Sequence, residues 1–287
     1  MAIDIIAART ADPVTREISW TPTDVLLYHL SLGAGSVPGA SELPLTYERD
    51  LTVLPTFGLV AGNGPSSGRL AAPSIKLPGI DIDLRKLLHG GQRIEVHRPL
   101  PASGSARTRQ RVADIIDLGP GRAAIVELET TAEDDSGRLW TQVSHIWARG
   151  EGGFGGSAPG TDRPPPPDRD PDARVTVPTG ANQAMLYRLN GDFNPLHVDP
   201  EFARAVGLDA PILHGLATFG IAAKAIVGLA AGADATRLMG IEARFAAMVR
   251  PGEDITVEVW SDPDDDIVFR AFVAGRTVLD GGRATIC

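Results

Sequence analysis

Two regions of the chain alternate apolar and polar residues with the period of two that is typical of β-strands. The strands predicted for the first region cover residues 93–98, 107–117, 122–132 and 139–148. Those predicted for the second region cover residues 241–249, 254–260, 266–274 and 277–286. Turns rich in Gly, Pro and Asp separate the strands of the first region, which is therefore predicted to be an antiparallel meander.

Helix signals precede each strand region. Residues 21–33 begin with Thr and Pro, a favourable cap and first position, and end at Gly. In the second half, Thr179 is expected to cap a helix that continues to Leu189. Residues 199–207 open with Asp-Pro and close with Gly, which predicts a short helix with both ends defined.

The most apolar segment is 215–233, where Thr218 and Lys224 are the exceptions. Its length is close to the ~20 residues that span a bilayer. A charge at the middle of a membrane span costs about 2.5–3.5 kcal/mol. We therefore interpret the segment as a buried helix wrapped by a sheet.

The two halves of the chain resemble each other faintly. Residues 94–104 and 241–252 both run from an Ile-Glu pair to a glycine turn, and alternating strands follow each. This predicts two copies of one helix-and-sheet unit. The Gly- and Pro-rich residues 150–173 predict a linker between an N-terminal domain at 1–149 and a C-terminal domain at 174–287.

The glycines of 152–156 do not indicate a phosphate-binding loop, because no strand and helix bracket them in the required order. No ligand is therefore predicted for the linker.

Three residues that can hold protons or hydrogen bonds, Asp192, Asn194 and His197, lie within six positions. Pro195 has no N–H and biases Asn194 away from helical geometry. A carboxylate and an imidazole on non-helical backbone can converge on one point, as a general acid–base pair must. The alternative is a surface turn with an incidental histidine. Apolar neighbours and the His214-Gly215 pair, which opens the apolar helix, favour a functional site.

Composition narrows the class of partner. The 36 acidic residues exceed the 27 basic ones, which gives a net charge of −9 and argues against bulk binding of nucleic acid or anionic membrane. Cys287 is the single cysteine, so no internal disulfide can form. Neither a secretory signal nor a peroxisomal tripeptide is evident, and a cytoplasmic location is expected.

These motifs resemble the MaoC-like, hydratase 2 family of (R)-specific enoyl-CoA hydratases, including the hydratase unit of peroxisomal multifunctional enzyme type 2. The family signature is an aromatic residue, then Gly-Asp-x-Asn-Pro-Leu-His, then a small residue. It matches Tyr187, residues 191–197 and Ala203. Further similar segments are 54–58, 87–90, 152–156, 211–215 and 243–245.

The resemblance implies an α+β double hot-dog fold, in which two antiparallel sheets each wrap a helix. It implies that Asp192 and His197 are the catalytic pair, oriented by Asn194, and that the Gly215 N–H binds the thioester oxygen. The residues it places beside the acyl-CoA are His89, Gly90, Phe193, Pro195, Leu196 and Phe245.

The sequence departs from the family pattern at two positions. Asn190 stands where a small residue is usual, and Leu118 replaces a basic residue, which removes one expected contact with a CoA phosphate.

Hydration of a 2-enoyl thioester places charge on the thioester oxygen, which requires pre-aimed donors. Gly215 begins the apolar helix, where N–H groups are unpaired and the helix dipole is positive. A water between Asp192 and His197 would add to the β-carbon, and the pKa of histidine suits this role. No metal is required, and no cofactor is expected beyond coenzyme A as part of the substrate.

The remaining histidines form no ligand spacing with Asp, Glu or Cys and are interpreted as structural; they are His29, His97 and His145.

The expected function is the reversible conversion of trans-2-enoyl-CoA into (3R)-hydroxyacyl-CoA, in fatty-acid or steroid side-chain β-oxidation. The first copy lacks the catalytic motif and is expected to bind the acyl tail. The alternatives are a dehydratase of carrier-protein thioesters, a thioesterase and a non-catalytic acyl-CoA-binding subunit. The family also implies a homodimer.

Overall fold

The computed structural model describes residues 3–36, 42–68, 78–82, 86–155, 166–261 and 266–287. The strands within these ranges are β1 (Val14–Trp20), β2 (Leu87–Val96), β3 (Gly104–Asp117), β4 (Ala124–Asp134), β5 (Gly137–Ala148), β6 (Ala173–Val177), β7 (Leu238–Phe245), β8 (Ile255–Ser261), β9 (Asp266–Val273) and β10 (Arg276–Ile286). The α-helices there are α1 (Ile5–Thr10), α2 (Pro22–Ser31), α3 (Leu43–Thr46), α4 (Gln183–Tyr187), α5 (Pro200–Ala205) and α6 (Gly215–Ala230).

These strands form one antiparallel sheet in the order β1-β3-β4-β5-β2-β7-β10-β9-β8-β6. Along the chain, each half repeats one plan: a strand, a helix, and then four more strands. In the first half the plan runs from β1 through α2 to β5, and in the second from β6 through α6 to β10. The double hot-dog prediction is confirmed, with the two sheets joined into one where β2 pairs with β7.

Helix α6 lies in the core between the two halves, and its residues from Ala217 to Val227 are buried. A side chain at Gly220 would place its Cβ 2.8 Å from the Tyr28 hydroxyl and from Leu32 of the first half. Glycine therefore allows α2 and α6 to approach closely, as small residues at a packed interface do.

The charge of Lys224 is neutralised inside this interface. Its Nζ donates to Glu42 Oε1 at 2.6 Å, and the lysine side chain is 6% exposed. Glu42 belongs to the first half, so the pair joins the buried helix to the other copy. The interpretation of this helix as buried is consistent with that contact, and none of the described helices has the length and apolarity to span a membrane.

The predicted strands agree with the observed ones to within a few residues, except that β2 begins earlier, at Leu87, and β7 lies earlier, ending at Phe245. The edge strands β1 and β6 were not predicted. Thr179 as a helix cap was wrong, because its hydroxyl donates to Glu253 O and accepts the Gly252 N–H. The helix begins instead at Gln183.

The glycine segment of the predicted linker packs on the first half. The Asp117 carboxylate accepts the N–H groups of Gly119, Gly153 and Gly155 at 2.7–2.8 Å. These hydrogen bonds lower the pKa of Asp117. The main-chain N–H groups of the glycine segment are therefore bound to a carboxylate of the protein itself. Residues 156–165 of the linker lie outside the described residues, and the domain limits stay predictions.

Candidate active site

The loop that carries the predicted acid–base pair begins at Gly191, with φ +108°. A Cβ there would meet the Asn63 main-chain oxygen at 2.8 Å, so glycine is required both by the backbone angle and by the close approach of the first half. The loop continues into a 3₁₀ turn at Pro195–His197. The position of Asp192 is therefore set from both halves of the chain.

Asn194 organises this loop through main-chain groups. Its Oδ1 accepts the Leu196 N–H at 3.1 Å, and its own N–H donates to Asp192 Oδ1 at 3.2 Å. Within the described residues, no hydrogen bond joins the Asn194 side chain to the side chains of Asp192 or His197. The orienting role expected of Asn194 would therefore be exerted through the backbone of the turn.

The tautomer of His197 is defined by one hydrogen bond. Its Nδ1–H donates to the Ile212 carbonyl oxygen at 2.9 Å, which leaves Nε2 with a free lone pair. The ring is buried, and this burial lowers the pKa of His197 below its usual value, although the nearby Asp192 carboxylate acts in the opposite direction. His197 is therefore neutral near pH 7 and can accept a proton at Nε2.

A second imidazole lies against the first. The rings of His197 and His214 are stacked, with centroids 3.6 Å apart and planes inclined by 26°. The His214 Nε2–H donates to the main-chain oxygen of Asp192 at 3.2 Å. His214 is 1% exposed, and this burial lowers its pKa to about 3.

Side-chain nitrogen and oxygen atoms of Asp192, His197 and His214 converge. One such atom from each residue lies within 4.8 Å of those of the other two. A water molecule can bridge groups at this separation. Because the two imidazoles are stacked 3.6 Å apart, their lone pairs lie in two nearly parallel planes, and one ion cannot lie in both planes, as zinc ligation by both rings at 2.0–2.1 Å requires. The arrangement favours acid–base chemistry over metal binding.

Gly215 is the first residue of α6, so its N–H has no carbonyl partner within the helix. No other partner for this N–H is found in the described part of the chain. A Cβ at Gly215 would lie 3.4 Å from the Phe245 ring. The N–H is thus an unpaired donor at the positive end of a helix, with an aromatic wall beside it.

The first half contributes His89 to this region. Its ring meets Phe245 edge to face, with centroids 4.9 Å apart, and its Nε2–H donates to Gln92 Oε1 at 3.0 Å. Ser144 donates to the same Gln92 oxygen at 2.8 Å. Burial lowers the pKa of His89 to about 4, and the Asp192 carboxylate acts in the opposite direction. His89 is therefore a neutral group close to the acid–base pair.

Gly90 lies where β2 bulges against β5, and a Cβ there would come 2.2 Å from the Trp147 ring. Phe193 is half-buried, with the Arg188 guanidinium 4.8 Å above its ring. Leu196 is also half-buried, whereas Pro195 and Asn194 are exposed. The substrate contacts expected of these residues stay predictions.

Residues 54–58, which together with the helix from Val25 are expected from the sequence to provide apolar lining for the acyl tail, are part of the core. Leu54 and Phe57 are almost completely buried, and a Cβ at Gly58 would lie 2.9 Å from Ile94. The contact at Gly58 is too close for a larger side chain at that position. Binding of the tail by the first half stays a prediction.

Sequence reasoning missed two residues. His214 was named only as a neighbour of Gly215, although its position directly before that glycine was a usable signal. Gln92 gave no signal, because a glutamine in an alternating strand is ordinary. Its burial, with 1% exposure, and its hydrogen bond to Ser144 depend on the pairing of β2 with β5, and its hydrogen bond to His89 spans the bulge within β2.

Two family models match the chain. Residues 18–150 match the MFE-2 hydratase 2 N-terminal domain, and residues 162–280 match the MaoC like domain. Enoyl-CoA hydratase ChsH3 of Mycobacterium tuberculosis is 50% identical over 265 residues, which are 91% of each chain. 3-Hydroxyacyl-thioester dehydratase Y of the same organism is 41% identical over 92% of this chain and 91% of its own.

Solved structures show the same fold. A MaoC-like dehydratase from Phytophthora capsici has a TM-score of 0.88 and 29% identity, with 99% of both chains covered. The full-length peroxisomal multifunctional enzyme type 2 of Drosophila melanogaster has a TM-score of 0.79 and 30% identity. That alignment covers 96% of this chain and 48% of the larger enzyme.

Proposed function

This chain belongs to the MaoC-like, hydratase 2 family, and on that basis we propose that it is an (R)-specific 2-enoyl-CoA hydratase. The reaction is the reversible addition of water to trans-2-enoyl-CoA, which gives (3R)-hydroxyacyl-CoA in fatty-acid or steroid side-chain β-oxidation. One observation carries the proposal: Asp192 and His197 converge beside the helix that begins with the unpaired Gly215 N–H. Relatives named as enoyl-CoA hydratases support it.

The helix N-terminus supplies the electrostatic part of the reaction. In the proposed complex the thioester oxygen accepts the Gly215 N–H. Addition of water to the β-carbon moves electrons towards that oxygen, and the N–H together with the helix dipole stabilises the developing charge. The position of Gly215 at the start of α6, where its N–H has no carbonyl partner within the helix, supports this role.

His197 and Asp192 supply the proton transfers. The water gives one proton to the free Nε2 of His197 while its oxygen forms the bond to the β-carbon. The electrons of the double bond form the enolate, and the same pair returns one proton to the α-carbon. The pair ends in its starting protonation state, and both bonds form on the face of the substrate that it borders.

The direct test is spectroscopic. Adding the protein to a trans-2-enoyl-CoA should remove the absorbance of the conjugated thioester, and chiral analysis of the product should show the (3R) alcohol. No free thiol should appear, since the thioester bond is not cleaved. A stable absorbance with a series of chain lengths would contradict the proposal, and release of thiol would indicate a thioesterase.

A second candidate is a dehydratase acting on carrier-protein thioesters. The relative named 3-hydroxyacyl-thioester dehydratase Y favours it, as does Leu118 in place of a basic residue that would contact a CoA phosphate. Comparing kcat/KM for the same acyl group on CoA and on a carrier protein separates the two. We expect the CoA thioester to be preferred.

We further propose that the acyl tail binds in the first half, that coenzyme A enters only as part of the substrate, and that the enzyme is a cytoplasmic homodimer. Several relatives are named as peroxisomal, so the location requires its own measurement. Light scattering of the purified protein checks the subunit number. Rates with short-chain, medium-chain and sterol side-chain thioesters check the tail site.

A further inference from the structure

We propose that His214 is a positioning residue, which holds both members of the acid–base pair in register with the Gly215 N–H. The proposal rests on the proposed hydratase function, whereas the contacts that His214 makes do not depend on that function. The His214 side chain contacts both the main-chain oxygen of Asp192 and the ring of His197, and His214 is covalently joined to Gly215.

The first contact is with the loop of the carboxylate. The Nε2–H of His214 donates to the main-chain oxygen of Asp192 at 3.2 Å. The hydrogen bond described for the Asp192 carboxylate itself comes from Asn194, two residues further along the same loop. The bond from His214 therefore ties this loop to the start of α6, which a bond within the loop cannot do.

The second contact is with the imidazole of the pair. The His214 ring lies 3.6 Å from the His197 ring and nearly parallel to it. The Ile212 carbonyl fixes one edge of the His197 ring, and the His214 stack fixes its face. An imidazole held at both an edge and a face cannot rotate, so the direction of its Nε2 lone pair is set. Positioning of this kind matters because a displacement of about 1 Å can cost roughly 100-fold in rate.

The third connection is covalent. His214 is the cap residue of α6, and its carbonyl oxygen accepts the N–H groups of Ala217 and Thr218, each at 3.1 Å. These bonds form the first turn of the helix and orient the Gly215 N–H. The main chain of His214 thus orients the Gly215 N–H, while its side chain positions Asp192 and His197.

His214 is suited to positioning and unsuited to proton transfer. Its Nδ1 is buried and has no hydrogen-bond partner among the described residues, so none of these residues takes a proton from that atom by a direct hydrogen bond. The groups that face the ring are Tyr187, His197, Asp192 and Arg188, and their combined effect with burial keeps the imidazole neutral. A neutral ring retains its Nε2–H throughout the reaction.

Two substitutions of His214 test its hydrogen bond to Asp192 and its stack on His197 separately. His214→Phe keeps a flat ring for the stack but removes the donor to Asp192, whereas His214→Gln offers an N–H donor without the ring. His97→Gln is the control, because His97 is an exposed histidine on the first half. For each variant, kcat and KM are measured across the pH range, and circular dichroism and the melting temperature report folding.

We expect His214→Phe to lower kcat roughly 10- to 100-fold, with KM changed less than threefold. We also expect the acid limb of its pH profile to move to lower pH. Once the loop is released, the Asp192 carboxylate raises the pKa of His197 less, and burial then lowers that pKa further. His214→Gln should restore the acid limb towards that of the wild type.

NMR titration of the His197 ring separates this proposal from the hydratase assignment, because it needs no activity. A lower His197 pKa in His214→Phe than in wild type supports the positioning role even if no enoyl thioester is hydrated. An unchanged pKa and pH profile, with activity reduced only in proportion to the folded fraction, would overturn it. If His214→Phe does not fold, wild-type kcat in folded His214→Gln would overturn the part assigned to the stack, and a reduced kcat would support it.

Discussion

Ile94 of β2 lies directly opposite Ile241 of β7, and both side chains are buried where the two half-sheets join. These residues begin the two faintly similar segments of the sequence, so equivalent positions of the two copies are paired in neighbouring strands. The joint is therefore an approximate two-fold axis between the halves. This pairing brings His89 of the first copy to the region of Asp192 and Phe245 in the second.

The acid–base pair makes the first prediction. Asp192→Asn and His197→Ala should each lower kcat by roughly 100- to 10,000-fold, because each removes a group that transfers a proton in the transition state. Steady-state hydration kinetics measure the effect. Asp199→Asn is the matched control, since Asp199 lies in the same segment but caps α5. Full activity in both pair variants would contradict the mechanism.

The Gly215 N–H can be removed without breaking the helix. Proline is tolerated at the first helical position, and His214 already has the extended angles (φ −58°, ψ 136°) that a residue before proline requires. We expect Gly215→Pro to fold and to lose roughly 100- to 1,000-fold in kcat, as for a lost oxyanion donor.

Gly215→Ala is the companion variant, because it retains the N–H and adds a Cβ in ordinary contact with Phe245 at 3.4 Å. Its loss in kcat should be clearly smaller than that of Gly215→Pro. Equal losses would show that the space in front of the helix, and not the donor, decides the rate.

The buried histidines predict acid sensitivity. Burial lowers the pKa of His29 to about 4 and that of His214 to about 3, whereas an unfolded histidine titrates near 6.5. Below about pH 6.5 the unfolded state binds more protons than the folded state. The free energy of unfolding should therefore fall with decreasing pH, by up to about 1.4 kcal/mol per pH unit for each residue.

Urea unfolding at several pH values between about 7.5 and 5 measures this dependence. His29→Gln should reduce its slope, because His29 is held neutral as a donor to Leu45 O and an acceptor from the Leu54 N–H. His97→Gln, which replaces an exposed histidine, is the control. A stability that is constant over this range would show that these histidines are protonated in the folded protein.

Replacing Gly191 with alanine should destabilise the protein, and the same replacement at a second glycine provides the reference for the size of that loss. Gly191 and Gly207 both have positive φ, at +108° and +87°, so alanine at either is strained by about 1–3 kcal/mol. A Cβ at Gly191 would also lie 2.5 Å from Asn63 Cβ, whereas nothing lies within 4 Å at Gly207. Gly191→Ala should therefore be less stable than Gly207→Ala by about 1–3 kcal/mol, as for an overpacked site.

Chemical denaturation of the two alanine variants under one set of conditions gives the comparison. Equal stabilities would mean that the contact between Gly191 and Asn63 is absent in solution.

Much of the fold could be read from local pattern. Strand β8 is an example, because Thr256 and Glu258 separate the apolar residues Ile255, Val257 and Val259, so period alone locates it. The short edge strands β1 and β6 were missed although β6 alternates apolar and polar residues, because five residues directly after a segment rich in Pro and Asp are a weak signal. Thr179 shows the complementary failure: a favourable cap residue was used for a long-range bond to Glu253.

The candidate site divides in the same way. The spacing of Asp192, Pro195 and His197 predicts a turn with two proton-handling groups, and the apolar segment predicts the helix that begins at Gly215. Neither could reveal that Gln92 fixes His89, because that contact depends on how β2 pairs with β5.

The sequence by itself determined the two copies, the loop with its carboxylate and imidazole, and the glycine that begins the buried helix, since each of these is written in neighbouring residues. The tertiary structure alone decided that His214 stacks on His197 and that His89 of the first copy packs edge to face on Phe245 of the second. Such contacts join residues far apart in the chain, and they are fixed by strand register and helix packing, which no local pattern records.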